Sequence, residues 1–368
     1  MPIVRRGEIP YPVQGTGPYT DEIYTIRGFF GDWVHLFRKG NLGLPTSWSH
    51  DDLIYSGIDT AKAGSIALLT GDGIRVALER PTGGVTQRNL DFHEIRFYHR
   101  GTGALETELG DIAVAAGDFV VVGKGLVHRD RPDGDDMTVV TFGSAEPIAL
   151  AEQIWDAAGF ASMHVDYGGM TLPEPGATGG EPTEVRTLYN GEHHTVGYDF
   201  DPCRDVVGWT GDPVIYTLDC FSVPGIGTSL GFLPPPAHAV LMAADKSWFF
   251  NILRPGPIPS DPRGTMGAPA HLNDYDEVWF NHASELGPHS LGHMWLFPRT
   301  IPHPGGKRPT RYPSNPPQAL DEIKVNFDTK AQLHWTDEAK AALLEGDVRR
   351  NVFISLYGVP EEMLPPQR

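Results

Sequence analysis

Two stretches decide the fold: DFHEIRFYHRG (91–101) recurs as DYDEVWFNHAS (274–284), and Glu94 in the first aligns with Glu277 in the second. Polar and apolar residues alternate along much of the first stretch, as they do in strands whose successive side chains point to opposite faces. A β unit that occurs twice in one chain predicts a duplicated barrel.

The sequence that follows each stretch repeats as well. FVVVGKGLVHR aligns with MWLFPRTIPHP, so that His128 corresponds to His303. Without gaps, the copies differ at one informative position, where the first has Arg88 and the second has His271. The second copy alone therefore combines the shared glutamate with two histidines.

Most other segments are short and bounded by turns. The chain has 43 glycines and 33 prolines without a collagen period, which indicates many turns and short strands. Two segments have helical spacing, 146–160 and 336–347, and Thr336 is suited to cap the second. We predict an all-β chain with a few helices, divided into an N-terminal barrel at 1–160 and a C-terminal barrel at 161–368. Strand-type segments lie at 65–80, 93–101, 104–118, 119–129, 214–223, 238–244, 247–256, 277–284 and 293–303.

The composition of the 368-residue chain limits the classes of partner that we expect it to bind. Its 47 acidic and 29 basic residues give a formal net charge of −18, which disfavours nucleic acid and anionic membrane surfaces. No apolar run is long enough to span a bilayer, and the N-terminus has no secretory pattern. Two cysteines, Cys203 and Cys220, exclude a disulfide framework, so we expect both to be buried and the protein to be cytoplasmic.

The chemistry of the second copy lies in His271, Glu277 and His303. A histidine and a glutamate six residues apart share one face of a regular strand, and a later strand can bring the second histidine to them. Two imidazoles and one carboxylate on one side of an ion form the facial triad of non-haem Fe(II) oxygenases, although Mn and Zn accept the same ligands. Asn273 is a candidate partner for these ligands and for the substrate. A histidine on a strand is also commonly just a hydrogen-bonded polar residue.

Other residues near this motif are candidates for lining the pocket. Trp209, Phe280 and Trp295 are suited to wall an aromatic ring, although aromatic residues at strand spacing usually pack in the core. His282 and His293 are candidates for an acid–base role. In the first copy, Glu94 and His128 leave a second metal site open, with His93 as the nearest further histidine.

The motif His271-x-Asn273-x-x-x-Glu277, followed by Thr300-Ile-Pro-His-Pro-Gly, resembles homogentisate 1,2-dioxygenase, and DVVGWTGDPVIYTLDCFSV (205–223) is similar to an upstream stretch of that family. The resemblance implies a bicupin, that is, two double-stranded β-helix or jelly-roll barrels, with iron in the C-terminal cupin and a largely structural N-terminal cupin. It also implies a homo-oligomer, to which Pro-rich arms such as 303–319 would contribute. The large subunit of hydroquinone 1,2-dioxygenase has the same ligand spacing.

The chain departs from the homogentisate pattern at positions that shape the pocket. Thr210 and Phe297 stand where that family has histidines, Leu272 replaces a basic residue, and Leu286 falls where an aromatic hydroxyl is expected. These departures leave the iron site intact and put homogentisate itself in doubt.

The resulting hypothesis is an Fe(II)-dependent ring-cleaving dioxygenase of aromatic compound catabolism that uses O2 and a dihydroxylated aromatic substrate. Ring cleavage of the hydroquinone or gentisate type fits the same motif. A metal-dependent cupin isomerase or hydrolase, and a non-catalytic ligand-binding bicupin, are the alternatives from other classes.

Overall fold

The computed structural model describes residues 20–39, 47–151, 169–212, 214–220, 223, 238–253, 270–283, 291–299, 301–303 and 323–345. Twenty-three strands account for most of the regular structure in these ranges. In chain order, β1 to β23 are Thr20–Thr25, Trp33–Arg38, Ser56–Asp59, Ile66–Gly71, Ile74–Glu79, Thr86–Asn89, His93–Arg100, Thr102–Thr107, Gly110–Ala115, Asp118–Val122, Val127–Pro132, Thr138–Ser144, Ile148–Leu150, Thr183–Tyr189, Glu192–Tyr198, Ile215–Asp219, Ala239–Ala243, Trp248–Leu253, Ala270–Leu272, Asp276–Ala283, His293–Phe297, Ile323–Thr329 and His334–Trp335. Two short 3-10 helices, Asp51–Leu53 and Thr60–Lys62, and one α-helix, Asp337–Lys340, complete the described elements.

The duplication predicted from the sequence is confirmed by the order of the strands. In the first barrel, the larger sheet contains the run β10-β7-β12-β5-β4, and in the second barrel the larger sheet contains β21-β20-β22-β18-β17. Each strand of one run has its counterpart at the same place in the other. The smaller sheet has the order β15-β14-β6-β11-β8-β9 in the first barrel and β19-β1-β2 in the second. The chain is therefore the all-β bicupin that the sequence predicted.

Each barrel is extended by strands from the other half of the chain. The β1–β2 hairpin pairs in parallel with β19 of the second barrel, and the β14–β15 hairpin pairs in parallel with β6 of the first. In the same reciprocal way, β3 joins β21 and β16 joins β10. These pairings cross the division at 160/161 that the sequence suggested, and they tie the two barrels together.

The two larger sheets pack face to face, and the largest apolar cluster lies between them. Phe97 of β7 contacts Phe280 of β20 with ring centroids 6.1 Å apart, and Phe142 of β12 lies 5.4 Å from Phe327 of β22. Because side chains alternate along a strand, β20 turns Val278 and Phe280 towards the other barrel, and it turns Glu277 and Trp279 into its own barrel. The faces that build a site inside the second barrel are thereby fixed.

Most predicted strands are confirmed, including the hairpin in 65–80, where Gly73 turns the chain with φ +65°. The helix predicted over 146–160 is wrong at Ile148–Leu150, because these residues pair with β17 as β13, and 152–160 lie outside the described residues. The helix predicted over 336–347 is confirmed at Asp337–Lys340, where Thr336 caps it by accepting a hydrogen bond from Ala339 N at 3.2 Å, and 346–347 lie outside the described residues.

Both cysteines are buried, as predicted. Among the described residues, no helix has the length and apolar character needed to cross a membrane.

Candidate metal centre

Backbone pairing brings the two predicted histidine ligands together. His271 lies on β19, and His303 forms an isolated antiparallel bridge with it, so that each backbone N–H donates to the other residue's carbonyl at 3.1 Å. The two rings lie on the same side of this bridge, with centroids 4.2 Å apart. The thirty-odd residues between the two histidines therefore do not separate them in space.

Glu277 completes the group from β20, which points this side chain into the second barrel. His271 Nε2 lies 3.4 Å from Glu277 Oε1, and His303 Nε2 lies 3.1 Å from Glu277 Oε2. Two ligand atoms about 2.1 Å from an ion and at right angles to each other lie about 3.0 Å apart, so these spacings suit neighbouring ligands of one ion. One candidate ligand atom from each residue lies within 4.8 Å of the others, and all three side chains are buried.

Hydrogen bonds hold the Glu277 carboxylate in place from both sides. Asn273 Nδ2 donates to Glu277 Oε1 at 3.1 Å, while Asn273 Oδ1 accepts from Tyr275 N at 2.7 Å and is thereby fixed itself. Trp279 Nε1 donates to Glu277 Oε2 at 3.0 Å. Outer partners of this kind orient a ligand and tune its affinity for the ion.

The charge of the site follows from burial and from the histidines. Burial by itself would raise the pKa of Glu277, but His303 and His271 beside it hold that pKa well below its usual range, so the carboxylate is ionised. Burial lowers the pKa of His303 against the opposing effect of Glu277, so its imidazole is neutral near pH 7 and able to bind a metal ion.

A second buried carboxyl group lies directly opposite the first. Asp328 of β22 is the cross-strand partner of Glu277, and both side chains are 0% exposed. Burial, followed by the charge of Glu277, raises the pKa of Asp328 well above its usual range, so Asp328 holds a proton. Asn251 Nδ2 donates to Asp328 Oδ2 at 3.0 Å, and Asn251 also contacts Asn326. These three polar residues were missed in the sequence, although Asn326 and Asp328 alternate with buried apolar residues in IKVNFDT (323–329).

Aromatic rings surround the two imidazoles. Phe29 packs edge-on against His271 with centroids 5.1 Å apart, and Phe297 lies 4.9 Å from His303. Phe297 also contacts Tyr55 and Trp279. Trp295, predicted to wall the pocket, belongs to this cluster and is the cross-strand partner of Trp279.

Two other predicted site residues are not brought to the triad. Phe280 and His282 lie on the opposite face of β20, in the interface between the barrels, where His282 Nδ1 is 3.0 Å from His99 Nδ1. Burial lowers the pKa of His282 to about 4, and burial followed by the neighbouring His282 lowers the pKa of His99 to about 3. The pair is therefore neutral, and its two rings pack against Phe97 and Phe280.

The remaining two predicted residues also lie apart from the triad. His293 begins β21, four residues before Phe297, and its Nε2 lies 4.0 Å from Asp59 Oδ2. Since Phe297 is the cross-strand partner of Glu277, His293 is displaced from it by about 13 Å along the strand. Trp209 is half-buried in the coil ahead of β16, which extends the sheet of the first barrel.

The first barrel carries an altered version of the same arrangement. Asn89 donates to Glu94 as Asn273 donates to Glu277, and His128 Nε2 lies 3.6 Å from Glu94 Oε2. The residue paired with His128 in the ladder is Gln87, so Gln87 takes the place of His271. The alignment of Arg88 with His271 was wrong by one residue, because the first copy has one more residue between the asparagine and the glutamate.

His93 does not complete a second triad in the first barrel. It neighbours Glu94 on β7 and so faces the other side of the strand, where its Nδ1 accepts a hydrogen bond from Lys124 N at 3.1 Å. Within the described ranges, His271, Glu277 and His303 are the one group of three such side chains close enough to share an ion.

No protein-family model matches the chain. Among solved structures, it is similar to a cupin 2 conserved barrel domain protein from Leptotrichia buccalis, with 8% identity over 74% of this chain and 95% of that one at a TM-score of 0.32. A salicylate 1,2-dioxygenase from Pseudaminobacter salicylatoxidans is 9% identical over 73% and 80% of the two chains, at a TM-score of 0.32. A putative glyoxylate-induced protein from Pseudomonas aeruginosa is 8% identical over 80% and 94%, at a TM-score of 0.34. Likeness at this level carries no information on activity.

Proposed function

We propose that the second barrel binds one Fe(II) ion and that the protein is a ring-cleaving dioxygenase acting on a dihydroxylated aromatic compound. The observation that carries the proposal is the convergence of His271, Glu277 and His303, with spacings of 3.1 and 3.4 Å between imidazole nitrogens and carboxylate oxygens. Two neutral nitrogen ligands and one carboxylate on one side of an ion are the ligand set of non-haem Fe(II) oxygenases.

When bound, the ion would supply redox chemistry towards O2 and a template that orients the two hydroxyl groups of the ring. The chain itself supplies a fixed charge and fixed geometry. Glu277 remains ionised because the two histidines lower its pKa, and Asn273 and Trp279 hold its two oxygens at 3.1 and 3.0 Å. The protonated Asp328 opposite adds no second negative charge to the site.

The surroundings of the triad suit an aromatic guest of low charge. Phe29 and Phe297 flank the imidazoles, and the cluster of Tyr55, Trp279 and Trp295 adjoins them. Such walls exclude water and provide flat apolar surface for a ring. Phe297 stands where the homogentisate pattern has a histidine, so a less acidic ring than homogentisate, of the hydroquinone or catechol type, is favoured.

Oxygen uptake by the Fe(II)-loaded protein tests the proposal, with homogentisate, gentisate, hydroquinone and catechol as substrates. We expect uptake with at least one of them, equal in amount to the ring-opened product, and its loss in His271→Ala. His293→Gln is the matched control, because this histidine lies away from the triad, and it should retain the activity.

Other outcomes would point to the alternative classes. Turnover of a substrate that continues without O2 would favour a metal-dependent isomerase or hydrolase. A protein that binds no stoichiometric metal under anaerobic loading would favour a ligand-binding bicupin without catalysis.

A further inference from the structure

The first barrel contains a cavity of about 460 Å³ between its larger and smaller sheets. Cavities that hold small ligands commonly measure about 300–1,000 Å³, so this one is large enough for a compact organic molecule. Its lining is part apolar and part polar, and the polar part includes Arg75, Asn89, Glu94, His128 and Arg186. The iron site proposed above lies in the other barrel, so an inference about this cavity does not rest on it.

The inner end of the cavity holds buried polar atoms that lack hydrogen-bond partners among the described residues. Glu94 Oε2 and His128 Nε2 face each other at 3.6 Å, and neither atom forms a hydrogen bond there. His128 is 1% exposed and Glu94 is 8% exposed. Buried polar groups are nearly always satisfied in native proteins, so these atoms are placed to receive polar atoms of a ligand.

The buried arginine at this inner end is already paired. Arg96, which is 0% exposed, donates to Glu79 Oε2 at 2.9 Å and to Asp130 Oδ2 at 2.6 Å, so its charge is already matched by carboxylates. Burial raises the pKa of Glu94, and burial lowers the pKa of His128 to about 4. The neutral imidazole of His128 and the Glu94 carboxyl group beside it are suited to hydrogen-bond a hydroxyl or carbonyl oxygen.

The rim of the cavity is cationic. Arg75 is half-buried, Arg186 is exposed, and neither forms an ion pair or a side-chain hydrogen bond with the residues that the structure describes. Arg186 is the cross-strand neighbour of Gln87, which is in turn the neighbour of His128. With strands about 4.8 Å apart, Arg186 and His128 stand about 10 Å apart in one row, which spans a molecule of a few carbon atoms.

A metal ion fits this place poorly. Gln87 stands where the second barrel has the ligand His271, and the guanidinium of Arg96 brings Nη1 to 3.6 Å from Glu94 Oε2. The guanidinium therefore already stands beside the carboxylate oxygen that would have to bind the ion, and one of the two histidine ligands is replaced. The two barrels thus offer different chemistry from one duplicated framework.

We propose that the first-barrel cavity binds a small hydroxy- or oxo-carboxylate, with the carboxylate at Arg75 and Arg186 and the hydroxyl or carbonyl oxygen at Glu94 and His128. The cationic rim recognises the charge of the acid, and the buried inner pair recognises its second oxygen. A carboxylate held by an arginine makes charge-assisted hydrogen bonds, which are the strong contacts of such a site.

Calorimetric titration of the full-length, metal-free protein tests this proposal with lactate, malate and 2-oxoglutarate. Butane-1,2,4-triol serves as the uncharged counterpart of malate, and succinate serves as the counterpart without the hydroxyl group. We expect saturable binding of at least one of the three acids, weaker binding of succinate and none of the triol. Arg186→Gln should raise the dissociation constant by about tenfold or more, because a charge-assisted contact is lost.

Arg131→Gln is the matched control, because the exposed Arg131 lies outside the lining of the cavity and donates to Glu106 Oε1 at 2.9 Å. It should bind the acids as the unsubstituted protein does. His271→Ala, in the other barrel, should also leave binding unchanged.

The proposal is overturned if none of the three acids binds saturably at millimolar concentration, or if the triol binds as well as malate. Equal binding by Arg186→Gln and the unsubstituted protein would overturn it too. Loss of binding in His271→Ala would move the acid site to the second barrel. If metal analysis finds a second equivalent of metal that remains bound in His271→Ala, the first barrel binds a cation instead of the acid.

Discussion

The two opposed carboxyl groups of the second barrel give a sharp prediction, because the structure assigns them different charges. Glu277 and Asp328 are cross-strand partners and both are 0% exposed. Glu277 is ionised beside the two histidines, whereas Asp328 holds a proton. Glu277→Gln therefore removes the anionic ligand, while Asp328→Asn exchanges one neutral group for another of the same shape.

The expected magnitudes follow from these contacts. Loss of an outer partner commonly costs about 10–100-fold in metal affinity, so loss of the ligand Glu277 should cost more than about 100-fold, or about 2.7 kcal/mol. In Asp328→Asn, the amide oxygen can still accept the hydrogen bond from Asn251, which is 3.0 Å long in the unsubstituted protein. An amide N–H replaces the acid O–H as donor, so Fe(II) affinity should change by less than about tenfold, or about 1.4 kcal/mol.

Anaerobic competition with a coloured Fe(II) chelator measures both affinities, and circular dichroism checks that each variant is folded. Equal losses of affinity in the two variants would refute the reasoning, because Asp328 would then carry charge at the site. Full retention of Fe(II) by Glu277→Gln would remove the glutamate from the ligand set.

Three further predictions concern stability and the support of the site. The pKa of His282 is about 4 in the folded protein and near 6.5 when unfolded. Its contribution to the free energy of unfolding is therefore complete above pH 6.5 and is lost as the pH falls towards 4, by about 3 kcal/mol at 1.36 kcal/mol per pH unit. His282→Asn should flatten the pH dependence of urea unfolding between pH 7 and 4, and an unchanged slope would contradict this. Gly57→Ala places a Cβ 2.7 Å from the Trp295 ring and should lower the free energy of unfolding by about 1–3 kcal/mol in thermal unfolding. Gly64→Ala meets no atom within 4 Å and should cost less than about 0.5 kcal/mol, so equal costs would argue against this packing. Asn273→Leu removes the hydrogen bond to Glu277 and should weaken Fe(II) binding by about 10–100-fold, and unchanged affinity would show that Asn273 does not orient the ligand.

The duplicated barrel could be predicted, because the repeated stretches and the alternation of side chains along each strand are visible in the local sequence. The same alternation separates Phe280 and His282 from Glu277, so the sequence contained the signal against pocket positions for them. Register was harder to infer, because the first copy has one extra residue before Glu94. The ungapped alignment therefore placed Arg88 opposite His128, whereas the structure places Gln87 there.

Residues contributed by distant strands could not be found from the sequence. Asp328 meets Glu277 only because β22 pairs with β20, and Phe29 reaches His271 from a hairpin near the N-terminus. The strand at Ile148–Leu150 shows a tertiary effect of the same kind, in which pairing with β17 overrides helical spacing.

Anomalous X-ray scattering from crystals loaded anaerobically with Fe(II) tests the metal centre most directly. We predict one iron peak per chain, about 2.0–2.2 Å from the Nε2 atoms of His271 and His303 and from a carboxylate oxygen of Glu277. A peak elsewhere, or density in which these three side chains contact only each other and water after loading, would contradict the proposed site.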